Sequence, residues 1–364
     1  MKTILHLSSS SGPGGAERVV CALAASLDQS RFRSLVGLFR SGWLKDQCER
    51  RCVFTLVLPD QGFLHWKWMV ECLRVVKRER VDVIQAHEFD AIVHGWVVAK
   101  LAGIPLVATI HGKNYFWEKA RRRWAYRWIS RSATFVAVSD DLKRFVVEKT
   151  GIAETRIRII HNGIALPPVP HQSEIEVCRA EVGLMVGAPV IGSVGSLYPV
   201  KGHRYLIEAM PLVLAQHPAA QLILVGRGDQ EAVLKERVTQ LGLESHVRFL
   251  GLRPDVPKLL ALMDVFVLPS LSEGLSIALL EAMLAEKAVV ATKVGGNAEV
   301  IQPGRTGWLV PAQDVDALAA ALCEALSDRS RLERFGAAGS ARARSEFGLE
   351  RMTGQYEALY QAVS

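Results

Sequence analysis

The sequence predicts an α/β protein built from two doubly wound parallel sheets, and three observations carry that prediction. Short apolar runs alternate with helical stretches along nearly the whole chain, the pattern of parallel strands joined by crossover helices. The chain has 364 residues, enough for two cores of ordinary size. Prolines crowd at 167, 168 and 170, where neither a strand nor a helix can continue, and they split the alternation into two blocks. The expected division is 1–166, 167–345 and a terminal helical segment 346–364.

Apolar residues make up 49% and charged residues 22% of the sequence, a balance that excludes a disordered chain. The run Ile4-Leu-His-Leu7 after Lys2 is too short for a signal-peptide core, and no window reaches the about 18 apolar residues of a spanning helix, so a cytoplasmic protein is expected. Six cysteines are scattered, and only Cys48 and Cys52 are close; with no zinc pattern completed, free buried thiols are expected. The net charge of +7 is uneven. Residues 1–165 carry 26 basic and 15 acidic side chains, whereas 166–364 carry 18 and 22, so the basic excess lies wholly in the first block.

In that block Thr3–Ser8 reads as a strand, followed by a glycine-rich loop through Gly14 and Gly15 and a strong helix. Such a loop lets main-chain N–H groups approach an anion, although tight strand-to-helix turns also use glycine for its geometry alone. No G-x-G-x-x-G stands on this first turn, which weighs against a dinucleotide enzyme. Strands are expected at 34–39, 54–58, 81–86, 106–109 and 135–138. The strand ending at Ile110 delivers His111-Gly112 to a carboxyl edge, where the imidazole could donate to a substrate hydroxyl or serve structurally; His87, ending an earlier strand, is a candidate on the acceptor side.

Residues 113–131 hold seven basic side chains and one acidic one. At helical spacing Trp117, Trp124 and Trp128 share a face, with Lys119, Arg122, Arg123 and Arg127 elsewhere around the axis. A helix of this kind could lie on an anionic membrane surface, or its tryptophans could pack on the protein's own sheet. No nucleic-acid module surrounds it, so nucleic acid is not an expected partner. Ser139, followed by Asp140-Asp141, reads as a helix N-cap with acids in the first turn, and no metal site is expected there.

In the second block strands are expected at 189–194, 221–225, 248–250, 265–268 and 288–292, and the run Gly307-Trp-Leu-Val310 helps to close the domain. The loop Gly195-Ser-Leu-Tyr-Pro-Val-Lys-Gly202 sets Lys201 at a loop-to-helix junction, a plausible counter-charge to a diphosphate or simply a solvated lysine. Amphipathic helices at 314–326 and 349–363 close the chain.

The stretch Ser270-Leu-Ser-Glu-Gly-Leu-Ser-Ile-Ala-Leu-Leu-Glu-Ala-Met283 follows a buried strand and opens a helix expected to start near Gly274. Glu273 would then stand at a strand-to-helix corner, where Gly274, Leu275 and Ser276 offer main-chain N–H groups. Glu281 lies eight residues on, roughly 12 Å along a helix, about the reach from a sugar past two phosphates to a ribose. Two ordinary surface glutamates, one complementing the helix dipole, would also satisfy the pattern.

The stretch closely resembles the E-x7-E signature of glycosyltransferase family 4, a group of retaining enzymes with the two-domain GT-B fold. The resemblance implies two Rossmann-like domains facing each other across a cleft, the first binding acceptor and the second a nucleotide sugar, with the last helix crossing back. It implies that Glu273 meets the sugar and Glu281 the ribose, that His111 is the cleft histidine, that Gly14 and Gly15 contact phosphates or acceptor, and that Leu252 and Arg253 border the base. The family's phosphate loop usually begins Gly-Arg-Leu; Ser196 replaces the arginine here, so Lys201 and main-chain N–H groups would act alone, or Arg227 or Arg204 would substitute.

The resulting expectation is a retaining hexosyltransferase using a UDP- or GDP-linked sugar, without metal or other cofactor, on a glycan or lipid-linked acceptor of envelope polysaccharide or lipopolysaccharide. His111, Glu273 and Lys201 are its candidate catalytic residues, and a peripheral position on the inner face of the membrane fits the basic helix. A sugar-nucleotide epimerase and a non-catalytic sugar-binding protein are the rival readings.

Overall fold

The computed structural model describes residues 1–58, 66–113 and 118–363. The chain divides into two units, one formed by Met1–Ala165 with Phe347–Ser364 and the other by Leu166–Glu346.

The first unit holds seven parallel strands: β1 (Lys2–Ser8), β2 (Phe32–Leu38), β3 (Phe54–Val57), β4 (Val83–His87), β5 (Leu106–Ile110), β6 (Thr134–Ala137) and β7 (Ile157–Ile159). Their order is β3-β2-β1-β4-β5-β6-β7, so the winding reverses between β1 and β4. The central strands carry long apolar stretches because both faces of the sheet are covered; Ile4, Leu5, Leu7, Val83 and Ile84 are fully buried. His6 lies in register with Gln85, and His87 with Thr109. Residues two apart on a strand share a face, so His6, Gln85, His87 and Thr109 line one side of the sheet.

That side is covered by the helix Leu349–Val363. Tyr356 and Tyr360 on this helix are buried, and the Tyr360 hydroxyl donates to Gln85 Oε1. Tyr356 Oη shares a hydrogen bond of 3.3 Å with Thr109 Oγ1, which also accepts from Gln85 Nε2 at 3.1 Å. Each polar atom so buried needs a partner, and these residues supply one another.

The second unit holds β8 (Val190–Val194), β9 (Gln221–Val225), β10 (Val247–Gly251), β11 (Val265–Leu268), β12 (Ala288–Thr292) and β13 (Gly307–Val310), all parallel, in the order β10-β9-β8-β11-β12-β13. Its core is aliphatic, with Ile191, Leu222, Leu224, Val265, Val267 and Val290 against the helix His203–Gln216 and the helix Val315–Ser327. Here the winding reverses between β8 and β11, so the loops after these two strands open side by side at the carboxyl edge.

Ser139 caps the helix Asp140–Thr150, its Oγ accepting from Leu142 N at 3.2 Å. All six cysteines are free; five are buried, but Cys52 is exposed at a left-handed turn after the helix Trp43–Arg50, where the chain reverses into β3. Among the described residues no helix is long and apolar enough to cross a membrane.

Candidate active site

The loop after β11 carries Glu273, which is 8% exposed. Two donors converge on its Oε1: Lys201 Nζ at 2.7 Å and Ser270 Oγ at 2.6 Å. Lys201 comes from the neighbouring loop after β8, the last residue of the single turn Pro199–Lys201. An ion pair this sheltered is held more firmly than a surface one, and it leaves Oε2 as the acceptor with capacity for a ligand hydroxyl. Sequence reasoning placed both residues near a ligand but did not foresee that they bind each other.

Glycine main chains fix this loop. Gly202, at φ +66°, lies so close that a Cβ would stand 2.0 Å from Pro269 O; at Gly295, φ +53°, a Cβ would stand 2.0 Å from Glu273 O. Gly296 N–H donates to Gly274 O at 2.8 Å. The loop is thus clasped between the segments that follow β8 and β12, a role for Gly295 that its sequence neighbourhood did not disclose.

The helix after the loop spans Ile277–Leu284, starting three residues later than expected. Ser276 accepts from Leu279 N at 3.4 Å and is its N-cap, so Gly274 and Leu275 belong to the loop. Hence only the segment from Ile277 to Glu281 rises as a helix, and the roughly 12 Å separation derived from eight helical residues does not apply. Glu281 is half-buried in the second turn.

The other expected donor contacts are distributed unevenly. Ser196 is half-buried beside Gly195, whose carbonyl would stand 1.9 Å from a Cβ on Gly226. Arg227 follows on an exposed loop, and its carbonyl accepts from Leu197 N–H at 3.0 Å. Arg204 is engaged by Glu208 at 2.9 Å. Leu252 is 55% exposed, whereas Arg253 is gripped by Asp255 at 2.7 and 2.8 Å and by Glu181 at 2.6 Å. Those carboxylates raise the Arg253 pKa further above its ordinary value. This guanidinium would have to leave two carboxylates to meet a base.

In the first unit His87 closes β4 and His111 follows β5. His87 Nδ1 and His111 Nε2 share a hydrogen bond of 2.9 Å, and the rings stack with centroids 5.2 Å apart. His87 is 1% exposed, which withdraws it from direct contact with an acceptor; the alternation that buries a strand's end was the reason it could not be told from a surface histidine. Burial holds His111 down to about 4, and His87 lies well below its ordinary value for the same reason, with His111 and His6 adding to the effect. Both imidazoles are therefore neutral near pH 7. Glu88, a non-glycine residue at φ +66°, uses its carboxylate Oε1 to accept from His111 N–H at 3.0 Å.

Gly14 is the N-cap of the helix Gly15–Ser26, and a Cβ on it would stand 2.4 Å from Glu17 Oε2. The helix start thus already has a carboxylate packed on it, a poor setting for an anion. Of the basic segment, Trp117 lies outside the described residues. The helix Ala120–Ile129 buries Tyr126 and Ile129, while Trp124 and Trp128 are 64% and 44% exposed and stack at 5.5 Å. The alternative in which these two tryptophans pack on the sheet is thereby overturned. Arg127 is exposed, Arg123 donates to Glu118 O at 3.1 Å, and Arg122 lies 5.0 Å over the Phe89 ring.

Two parallel-sheet α/β units, the second with an ion-paired loop at its winding reversal, define a protein of the GT-B class. Residues 13–166 match the family described as Glycosyltransferase Family 4, and residues 175–342 that described as Glycosyl transferases group 1. The lipopolysaccharide core biosynthesis mannosyltransferase LpcC of Rhizobium leguminosarum bv. viciae is 30% identical over 312 residues, 84% of this chain and 85% of that protein. The UDP-Gal:alpha-D-GlcNAc-diphosphoundecaprenol alpha-1,3-galactosyltransferase of Escherichia coli is 27% identical over 276 residues, 72% of this chain and 71% of that protein. The crystal structure of Anabaena Alr3699/HepE in complex with UDP-glucose has a TM-score of 0.90 at 27% identity, with 100% of both chains covered. The chain belongs to the glycosyltransferases of group 1 and family 4.

Proposed function

We propose that this glycosyltransferase is a retaining enzyme that moves a hexose-type sugar from a UDP- or GDP-linked donor to a glycan or lipid-linked acceptor in envelope polysaccharide or lipopolysaccharide synthesis. The observation that carries the reading is the Lys201–Glu273–Ser270 cluster at the winding reversal of the second unit, where open α/β sheets bind ligands. The complexes of Alr3699/HepE with UDP and with UDP-glucose, and the role of LpcC as a lipopolysaccharide core biosynthesis mannosyltransferase, support a nucleotide-sugar donor and an envelope acceptor.

In this reading the second unit binds donor and the first binds acceptor. Glu273 Oε2 accepts from a hexose hydroxyl, Glu281 accepts from the ribose, and His111 meets a substrate hydroxyl. The bond from the anomeric carbon to the diphosphate oxygen breaks with its electron pair leaving on the diphosphate; the acceptor oxygen bonds the same face and its proton passes to the departing phosphate. Lys201, with two further ammonium N–H donors, and the N–H groups preceding Ile277 stabilise that charge, and Arg227 supplies the cation that Ser196 does not. No metal is required by this distribution of charge. Thermal shift with a panel of UDP- and GDP-sugars, then transfer in EDTA, tests it: stabilisation by one donor and transfer despite the chelator are expected, while no response to any nucleotide sugar would sink the reading, and loss of transfer in EDTA its metal-free part.

The stacked, exposed Trp124 and Trp128 among arginines support a peripheral membrane position for the acceptor unit. Flotation with vesicles containing anionic phosphatidylglycerol is the test, and a Trp124→Ala, Trp128→Ala double variant should float less; equal flotation would remove the helix from the membrane.

A further inference from the structure

We infer that Glu88 is a positioning residue for transfer: its carboxylate, set by a strained main chain, holds the loop that carries His111, and this rests on the assignment of His111 under the proposed function. Five described residues other than glycine have a left-handed φ. Cys52, Arg80 and Glu286 each stand two residues past the end of a helix, where a left-handed residue is a common closing device. Gln313 lies in a turn. Glu88, at φ +66°, is different: it opens the helix Glu88–Ala102 directly after β4, where the first residue of a helix normally has right-handed torsions.

The pairing of β4 with β5 ends at His87 opposite Thr109, so His111 lies two residues past the ladder. Its N–H is met instead by a side chain, Glu88 Oε1 at 3.0 Å. A carboxylate is a stronger acceptor than the carbonyl of a longer ladder, so the tie is firm. The preceding residue, His87, meets the His111 ring at 2.9 Å. Two consecutive residues therefore hold the main chain and the imidazole of one half-buried histidine at the carboxyl edge.

The strain persists because both neighbours of Glu88 are fixed. His87 is 1% exposed. Phe89 has the Arg122 guanidinium 5.0 Å over its ring and the Tyr126 ring edge-on at 5.2 Å, both from the helix Ala120–Ile129. A left-handed torsion between two anchored residues is imposed by its surroundings. For stability alone glycine suits this φ better than glutamate. What glutamate adds is the acceptor on His111, a reason to keep a strained residue at a reacting edge.

Glu88→Gly, Glu88→Ala and Glu88→Gln in the full chain provide the test, with two readouts. One is hydrogen exchange of the His111 amide in histidine-labelled protein, where it is one of ten such signals. The other is turnover, measured as release of nucleoside diphosphate from the UDP- or GDP-sugar selected by thermal shift. Glu88→Gly should melt higher than Glu88→Ala, since only the glycine escapes the left-handed strain. Both should nevertheless lose kcat alike, roughly tenfold or more with KM little changed, and their His111 amide should exchange roughly tenfold faster. Glu88→Gln, whose amide oxygen can accept the same N–H, should recover slow exchange and most of the kcat. Wild-type kcat in Glu88→Gly, or a loss in Glu88→Gln as deep as in Glu88→Ala, would overturn the inference. So would unprotected exchange of the wild-type His111 amide, which decides even if no variant folds. Full turnover by His111→Ala, with the wild-type amide protected, would instead sink the assignment of His111 and leave Glu88 as a structural tie.

Discussion

Lys201 Nζ and Glu273 Oε1 lie 2.7 Å apart, although 72 residues separate them in the chain. The pair joins the loops after β8 and β11, and the Glu273 side chain is 8% exposed against 25% for Lys201. Removing the lysine leaves a sheltered carboxylate with Ser270 as its remaining donor. Lys201→Ala should cost about 1–3 kcal/mol of stability, and a double-mutant cycle with Glu273→Gln should show a coupling of about 0.5–3 kcal/mol. Additive denaturation free energies would mean that the pair does not form in solution.

Gly295→Ala should distort the same loop. Its Cβ would meet Glu273 O at 2.0 Å in a left-handed conformation, whereas Gly242, equally left-handed at φ +67°, has open space around it. Gly242→Ala should cost only the conformational term, about 1–2 kcal/mol, and Gly295→Ala distinctly more, together with a loss of donor-induced thermal shift. Equal costs at the two sites would refute the clasp.

Stability should fall as the solution is acidified below about pH 6.5. Burial pushes His6 down to about 3 and His203 to about 4, with Lys201 adding to the latter, and His87 is lowered as well. Between those values and the ordinary 6.5 these side chains are neutral when folded and protonated when unfolded. The unfolded state then binds more protons, so each histidine removes up to about 1.4 kcal/mol for every unit the pH drops, until its folded value is passed. Urea denaturation between about pH 7 and about pH 5 should show this slope, flattened in His203→Phe; a flat wild-type profile would show that the rings are not buried neutral.

Tyr360→Phe removes the hydroxyl that donates to Gln85 Oε1, at a residue with no exposed surface. A buried carbonyl left without its donor should cost about 1–2 kcal/mol, whereas Tyr198→Phe, at a tyrosine 50% exposed, should be near neutral. Matching melting temperatures for the two variants would mean that the terminal helix is not anchored through this bond.

Strands were the most legible part of the sequence. The runs 221–225, 265–268 and 288–292 form strands with those bounds, because β-branched residues in short uninterrupted blocks suit a sheet covered on both faces. The helix after Glu273 was less legible: Gly274 marked the corner, but Ser276 has the side chain that caps, so the helix starts at Ile277. Trp124 and Trp128 shared a face as their spacing implied, yet which face is buried depends on the neighbouring sheet, and Tyr126 and Ile129 took it. The pairings Lys201–Glu273 and His87–His111 could not be read at all. Each joins two strands' ends whose adjacency is set by sheet order, and sheet order is not written locally.

The helix Leu349–Val363 has a consequence for biosynthesis. Its tyrosines complete a hydrogen-bonded layer whose other members lie on β4 and β5, so the unit begun by the first strand is sealed by residues translated after the whole of the other unit. Segments emerging from the ribosome fold as cooperative blocks once all their parts are available. The nascent N-terminal sheet must therefore wait, with Gln85 and Thr109 uncovered, until the last helix has been translated and can dock.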